Sequence, residues 1–458
     1  MMRNEDDGCH YRVDDRGAAY GTKLKVESDN HPEGIGLAVA NSSILKTLDI
    51  EMEVEEEWID ELLHGVARNR SIELINVEVD YELSVPVDFS ILARFFEHNT
   101  NFRFLMVSGI PSMETLISVL PKCKSGRLQY IGIDKTFSSE EVSVALFESL
   151  EGISTLREIV FNDCDVGRTV GSALAKLLKS PSCSIENLTL GCRTEYMSAW
   201  LNSYNVDDDG VSCIGDALSV NRSLKYLDLN WNKDITLEGW QGFASSLNAP
   251  NNTLRQMVVS QCRIDDEGAR VIATALAEKT CVAVLDMSEN SITPMGLMSV
   301  FNVLHQNKPS LEKLILYDNE VGGDDLTDME WSVLSLALCD SSSINSTYIS
   351  NHNFHTLDIR NDRRGQKGIP EDIVTLLTMN KNNDKAEVAH QKILNHHFSG
   401  VDAGMGSTGV QDTLLPFVIE WMGRYKHGYS AIHHLVRGMP TLFEVGENSQ
   451  AGMKRKRG

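Results

Sequence analysis

The sequence predicts an α/β fold: a horseshoe solenoid with short parallel strands on its concave side, helices on its convex side and a helical cap at its C-terminal end. Three observations carry this reading. A nine-residue pattern of apolar and asparagine positions recurs along the chain, its copies are evenly spaced, and the residues between copies repeat with helical period. The 458 residues are 42% hydrophobic and 23% charged, which supports a continuous core and excludes a wholly disordered or collagen-like chain.

Leu224 to Asn232 reads L-x-x-L-x-L-x-x-N without a mismatch, and Leu311 to Asn319 reads it again. The first position recurs at Leu45, Ile72, Phe102, Leu128, Leu156, Ile185, Leu224, Leu254, Val282 and Leu311, with a weaker eleventh copy at Phe354. Eight of the ten intervals fall between 26 and 30 residues, a regularity that chance does not produce. The fourth and sixth positions stand two apart, so a short strand turns both inward and the residue between them outward. Ala269, Ile272, Ala273 and Leu276, like Leu297, Val300, Phe301 and Leu304, then follow helical spacing. Neither apolar stripe can be buried within one unit, so neighbouring units must stack.

The ninth position holds Asn232, Asn290 and Asn319 in some units and Cys164 and Cys262 in others. A buried asparagine there can bond the turning backbone, and a thiol can do so weakly, so these cysteines read as structural. The motif is that of the leucine-rich repeat. Its Asn/Cys usage, unit length and helical back resemble the ribonuclease-inhibitor-like subfamily over roughly residues 45 to 340.

Domain boundaries follow from the repeat. Residues 1–40 are expected as a flexible lead-in and 41–362 as the solenoid of about ten to eleven repeats, followed by a helical cap over 363–445 and a disordered basic tail over 446–458. In the cap region, Ser343 to His352, Leu376-Leu377 to Asn380, Lys392-Ile393-Leu394, Leu415 to Trp421 and Leu435 to Pro440 resemble the C-terminal region of an uncharacterised diatom and algal leucine-rich-repeat family. That resemblance implies a closing helical segment and carries over no catalytic residue. Leu415, Val418, Ile419 and Met422, then Ile432, Leu435 and Val436, form amphipathic stripes suited to capping the last repeat.

Lys plus Arg total 42 against 65 Asp plus Glu, a formal charge of -23 that repels a phosphate backbone, so no nucleic-acid partner is expected. No stretch has the length and apolarity of a membrane span, and the first residues lack a signal-peptide core, so an intracellular, non-membrane protein is expected. Nine cysteines without a Cys-x-x-Cys pair suit a reducing compartment. The acidic run from Glu51 to Glu61 reads as the charged start of a helix, or else as an interaction patch.

Phosphate-loop, serine-hydrolase, zinc-protease and dinucleotide motifs are absent, so no catalytic residue, cofactor or metal is assigned. Asn205-x-Asp207-x-Asp209-Gly210 imitates a calcium loop, yet its twelfth position is Asp216 and it aligns with Ile264 to Gly268 one cycle later. It is therefore the repeat's own turn into a helix. The histidines clustered from His390 to His434 lack ligand spacing.

Outward positions of the concave strands supply the candidate binding residues: Tyr226, Asp228, Trp231, Asp286, Glu289, Tyr317 and Asp318. No core justifies an aromatic there, although β-propensity alone also favours tyrosine and tryptophan in strands. The third position adds Leu74, Phe104 and Tyr130. One interval is about ten residues longer than its neighbours, and its insertion, Arg193 to Asn205, carries Tyr196, Trp200 and Tyr204, which either anchor a partner or fold down onto the solenoid. Lys454, Arg455, Lys456 and Arg457 fit a nuclear import tail, or a tail that pairs with the protein's own acids.

These residues suggest a non-catalytic interaction scaffold that takes a protein partner on its concave face, where the acids favour a basic one. Oligomeric state is left open. The alternative is a regulator of a small GTPase, by analogy with the GTPase-activating protein of nuclear transport, for which Asn162 and Arg168 are the available polar residues. A cytoplasmic, and in part nuclear, location is expected.

Overall fold

A computed structural model of the protein describes residues 23–397 except 28–33, 53–57, 80–86, 111, 126, 135–138, 163–164, 192–205, 248, 250–251, 278–280, 307–309, 322–325 and 361–368. The described residues form one sheet of twelve strands in chain order, every neighbouring pair parallel. They are β1 Lys23–Glu27, β2 Thr47–Met52, β3 Leu74–Val79, β4 Phe104–Ser108, β5 Tyr130–Asp134, β6 Glu158–Phe161, β7 Asn187–Thr189, β8 Tyr226–Asp228, β9 Gln256–Val258, β10 Val284–Asp286, β11 Lys313–Ile315 and β12 Thr356–Asp358. Helices such as Asp208–Leu218, Leu237–Leu247, Asp266–Leu276 and Pro294–Gln306 pack side by side behind the strands.

Register explains the core. Leu188, Leu227, Met257, Leu285, Leu314 and Leu357 stand opposite one another across β7 to β12 and are all buried. Helix residues such as Trp240, Phe243, Ile272 and Phe301 close over this row, and one apolar cluster runs unbroken from Leu24 to Leu377. The eleventh repeat is present, with buried Phe354 leading into β12.

The N-terminal boundary differs from expectation. β1 and the helix Ile35–Asn41 lie inside the stretch read as a flexible lead-in. Leu24 and Val26 alternate over too few residues to stand out, but pairing with Leu48 and Ile50 on β2 buries both.

Two asparagine ladders fix the turns. At the ninth repeat position the amide of Asn290 donates to the carbonyls of Val259 and Met287 at 2.9 Å, and its oxygen accepts from the amides of Cys262 at 2.9 Å and Ile264 at 3.0 Å. Asn232, two units before, and Asn319, one unit after, make the same kinds of bond. Cys262 fills the same position, its thiol donating to the Leu229 carbonyl at 3.0 Å, and burial drives its pKa up, as a structural role requires. A second ladder lies three residues before the first leucine: Asn69 accepts from Ser71 and Ile72, Asn221 from Ser223 and Leu224, and Asn351 from Asn353 and Phe354.

Helix starts and the C-terminal end are equally local. Asp207 accepts from the Gly210 amide at 2.8 Å and Asp265 from the Gly268 amide at 2.9 Å, so the calcium-loop imitation is a helix N-cap. Beyond β12 the helices Glu371–Asn380 and Lys385–His397 fold against the last repeat. Lys392 is fully buried there, and its ammonium donates to the carbonyl of Leu338, the last residue of the helix Asp328–Leu338, at 2.6 Å. It thereby satisfies an orphan carbonyl at a helix C-terminus, where a cation is favoured. The cap residues Leu415 to Met422 and Ile432 to Val436 lie outside the described residues.

Candidate functional site

Four consecutive units share an unusual backbone position. Trp231, Gln261, Glu289 and Asp318, each just before the ninth-position Asn or Cys, have φ of 65, 54, 53 and 52°. Left-handed backbone at a non-glycine residue costs on the order of 1 kcal/mol each, so the surroundings must hold it. They do: the four amides donate to Ser260, Ser288, Tyr317 and Arg360 carbonyls in the next unit at 2.8 to 3.1 Å. This row carries three of the seven concave residues expected from sequence and adds Gln261, whose unit ends in Cys262 and so attracts less notice.

The other four follow from strand register. Tyr226 and Asp228 stand on β8, Asp286 on β10, and Tyr317 follows β11. One outward row reads Asp228, Val258, Asp286, Ile315 and Asp358, placing acids on alternate strands. At about 4.8 Å per strand those carboxylates recur about every 10 Å. The structure therefore brings the expected concave residues onto one stretch of the sheet.

Their polar contacts are mutual. The Tyr226 hydroxyl donates to Asp228 Oδ2 at 3.0 Å, and Asp228 Oδ1 accepts from the Asn230 amide at 2.9 Å. Burial, reinforced by the charge of Asp286, pushes the Asp228 carboxyl above its usual range, and burial with the Asp228 charge pushes Tyr226 upward. Gln261 donates to Glu289 Oε2 at 2.5 Å and the Tyr317 hydroxyl to Glu289 Oε1 at 3.3 Å. Burial and the Glu289 charge bring Tyr317 to about 12. The Lys233 ammonium sits 4.5 Å from the centroid of the Trp231 ring. Acids and aromatics here share a half-buried surface.

A second surface lies in the N-terminal half of the same sheet. Leu74, Phe104 and Tyr130 are register partners on β3, β4 and β5, and the Phe104 and Tyr130 rings stand 6.1 Å apart. Met106, Gly132 and Val160 form the adjacent row. Gly132 leaves space over which the Tyr130 phenol and the Met106 thioether lie, with the hydroxyl 3.6 Å from the sulfur. Sequence reading found the third-position residues and missed Met106 and Val160, although their place between inward positions marks them as outward.

Tyr196, Trp200 and Tyr204 of the insertion, and Lys454 to Arg457, lie outside the described residues. Asn162 is buried, and Arg168 pairs with Asp209 of the following unit at 2.7 Å, so neither stands as an unengaged group on the sheet face. No helix among the described residues is long and apolar enough to cross a membrane.

A family model described as leucine-rich repeat matches residues 220–244 and 251–273, which hold β8, β9 and the greater part of the helix after each. Ribonuclease inhibitor of Sus scrofa is 26% identical over 169 residues, covering 37% of this chain and 34% of that protein. NACHT, LRR and PYD domains-containing protein 14 of Mus musculus is 24% identical over 209 residues, 44% of this chain and 19% of its own length. Protein phosphatase 1 regulatory subunit 37 of Bos taurus is 27% identical over 106 residues, 23% of this chain and 15% of its own. The matches thus span about a third or less of these relatives. The chain is an α/β leucine-rich-repeat solenoid with ribonuclease-inhibitor-like units.

Proposed function

We propose that the protein is a non-catalytic scaffold that holds a protein partner against the concave face of β8 to β12. One observation carries the reading: Tyr226, Trp231, Glu289, Tyr317 and Asp318 stand together on a surface whose backbone is locked, unit by unit, in an otherwise unfavourable conformation. A pre-ordered surface loses little entropy on binding, and its half-buried aromatics supply contact area. The acids steer a basic partner. Relatives named as an inhibitor of ribonuclease and as a regulatory subunit of protein phosphatase 1 support an action through binding.

The reading extends to the rest of the chain. Tyr196, Trp200 and Tyr204 add a second contact from the insertion, residues 343–445 close the solenoid in the manner of the algal family, and Lys454 to Arg457 direct part of the protein to the nucleus. Affinity capture from lysate, comparing wild type with the Tyr226→Ala, Trp231→Ala double variant, tests the central point. Loss of captured proteins by a variant with an unchanged circular-dichroism spectrum is expected; an identical captured set removes the proposal.

A further inference from the structure

The concave acids lie close enough to feel one another: Asp228 is affected by Asp286, and Tyr317 by Glu289, Asp286 and Asp318 together. The same face already holds one cation against an aromatic, the Lys233 ammonium on Trp231. The chain also contains four consecutive cations, Lys454, Arg455, Lys456 and Arg457, within a sequence of net charge -23. Lys454 follows His397 by 57 residues, and the His397 ring is tied to the end of the solenoid through the Thr347 hydroxyl at 2.8 Å. A connection of 57 residues is long enough whether coiled or helical, since even at the roughly 1.5 Å rise of a helix it measures about 85 Å. The distance from β12 back to β8 is four strand spacings, about 19 Å.

We propose that Lys454 to Arg457 dock in cis on the concave face between β8 and β11, with their charged groups on Asp286, Glu289 and Asp318 and one cation shared with Trp231 or Tyr317. The inference rests on the concave face being a binding surface, and it names the occupant of that surface when no partner is present. Each exposed ion pair is individually weak. Tethering supplies the compensation, because attachment to the same chain holds the segment at an effective concentration on the order of 1 mM, enough to occupy a site of about 100 μM affinity. An incoming partner must displace the segment, so its apparent affinity is about tenfold lower than for the unoccupied face.

The experiment uses the full chain in two arms. Zero-length carbodiimide cross-linking at low salt is expected to join Lys454 or Lys456 to Asp286, Glu289 or Asp318, in yield independent of dilution and lost at high salt. Adducts that fade on dilution would place the segment on a second copy, and adducts spread over acids elsewhere, or none, would deny a specific site; either result overturns the proposal. In the second arm a labelled peptide of sequence MKRKRG is expected to bind a Lys454→Glu, Arg455→Glu, Lys456→Glu, Arg457→Glu variant about tenfold more tightly than wild type. Equal binding to both proteins would overturn cis docking while leaving the concave face a binding surface. Failure to bind either, or binding unaffected by Asp286→Asn with Glu289→Gln, would remove both readings.

Discussion

Replacing Asn290 by alanine tests what holds the candidate face in place. The side chain is buried and makes bonds to the backbone of two units: it donates to Val259, Met287 and Ser288 carbonyls at 2.9, 2.9 and 3.1 Å and accepts from the Cys262 and Ile264 amides. Alanine strands those two amides, which belong to fully buried residues, at roughly 1–3 kcal/mol each. The adjacent Glu289 keeps its amide bond to the Tyr317 carbonyl, so the expected total, about 4 kcal/mol, comes from the two stranded amides. Solenoids unfold by neighbouring units rather than all at once, so urea denaturation is paired with amide exchange read at Cys262 and Ile264. Ser291→Ala, at an exposed neighbour, is the control and is expected within about 0.5 kcal/mol of wild type. A loss below about 1 kcal/mol with both amides still protected would refute the ladder argument.

Three further outcomes are expected. Burial holds the Lys392 ammonium near pKa 7 against an ordinary 10.5, so between those values the unfolded chain binds a proton that the folded chain does not, and wild-type stability rises with pH. Relative to Lys392→Met the gain is on the order of 4 kcal/mol at most between pH 7 and 10, and parallel denaturation profiles would contradict it. Asp207→Ala removes the N-cap of the helix Asp208–Leu218 and is expected to cost about 1 kcal/mol by thermal unfolding, whereas an equal loss from Asp207→Asn, which keeps a capping oxygen, would place the effect in charge. Fluorescent fusions with and without residues 453–458 are expected to differ in nuclear fraction, and identical distributions would deny the basic segment an address.

Much of the architecture was legible in the sequence because each unit repeats one solution to one burial problem. Leu224, Leu227 and Leu229 mark a strand only because the same spacing recurs at Leu311, Leu314 and Leu316. Where repetition is faint, legibility fails. β1 offers just Leu24 and Val26, and its burial comes from β2 rather than from its own pattern. The outward row was readable from alternation alone, and so Tyr226, Asp228 and Asp286 were found together. Trp231, Glu289 and Asp318 were found in the same way, but their left-handed backbone was not legible and Gln261 was missed with it, since the four positions share a conformation and no one side-chain type. Lys392 was hidden for a related reason: its partner is the carbonyl of Leu338, and a main-chain acceptor leaves no mark on sequence.

The central claim, that the sheet face and not the helical face takes the partner, is tested most directly by site-specific photo-cross-linking. A benzophenone amino acid is placed at Gln256, on β9 beside Tyr226, or at Arg270, exposed on the helix Asp266–Leu276. Covalent adducts with captured protein from the Gln256 position, and none above background from Arg270, are the expected result; adducts from Arg270 with none from Gln256 would contradict the account.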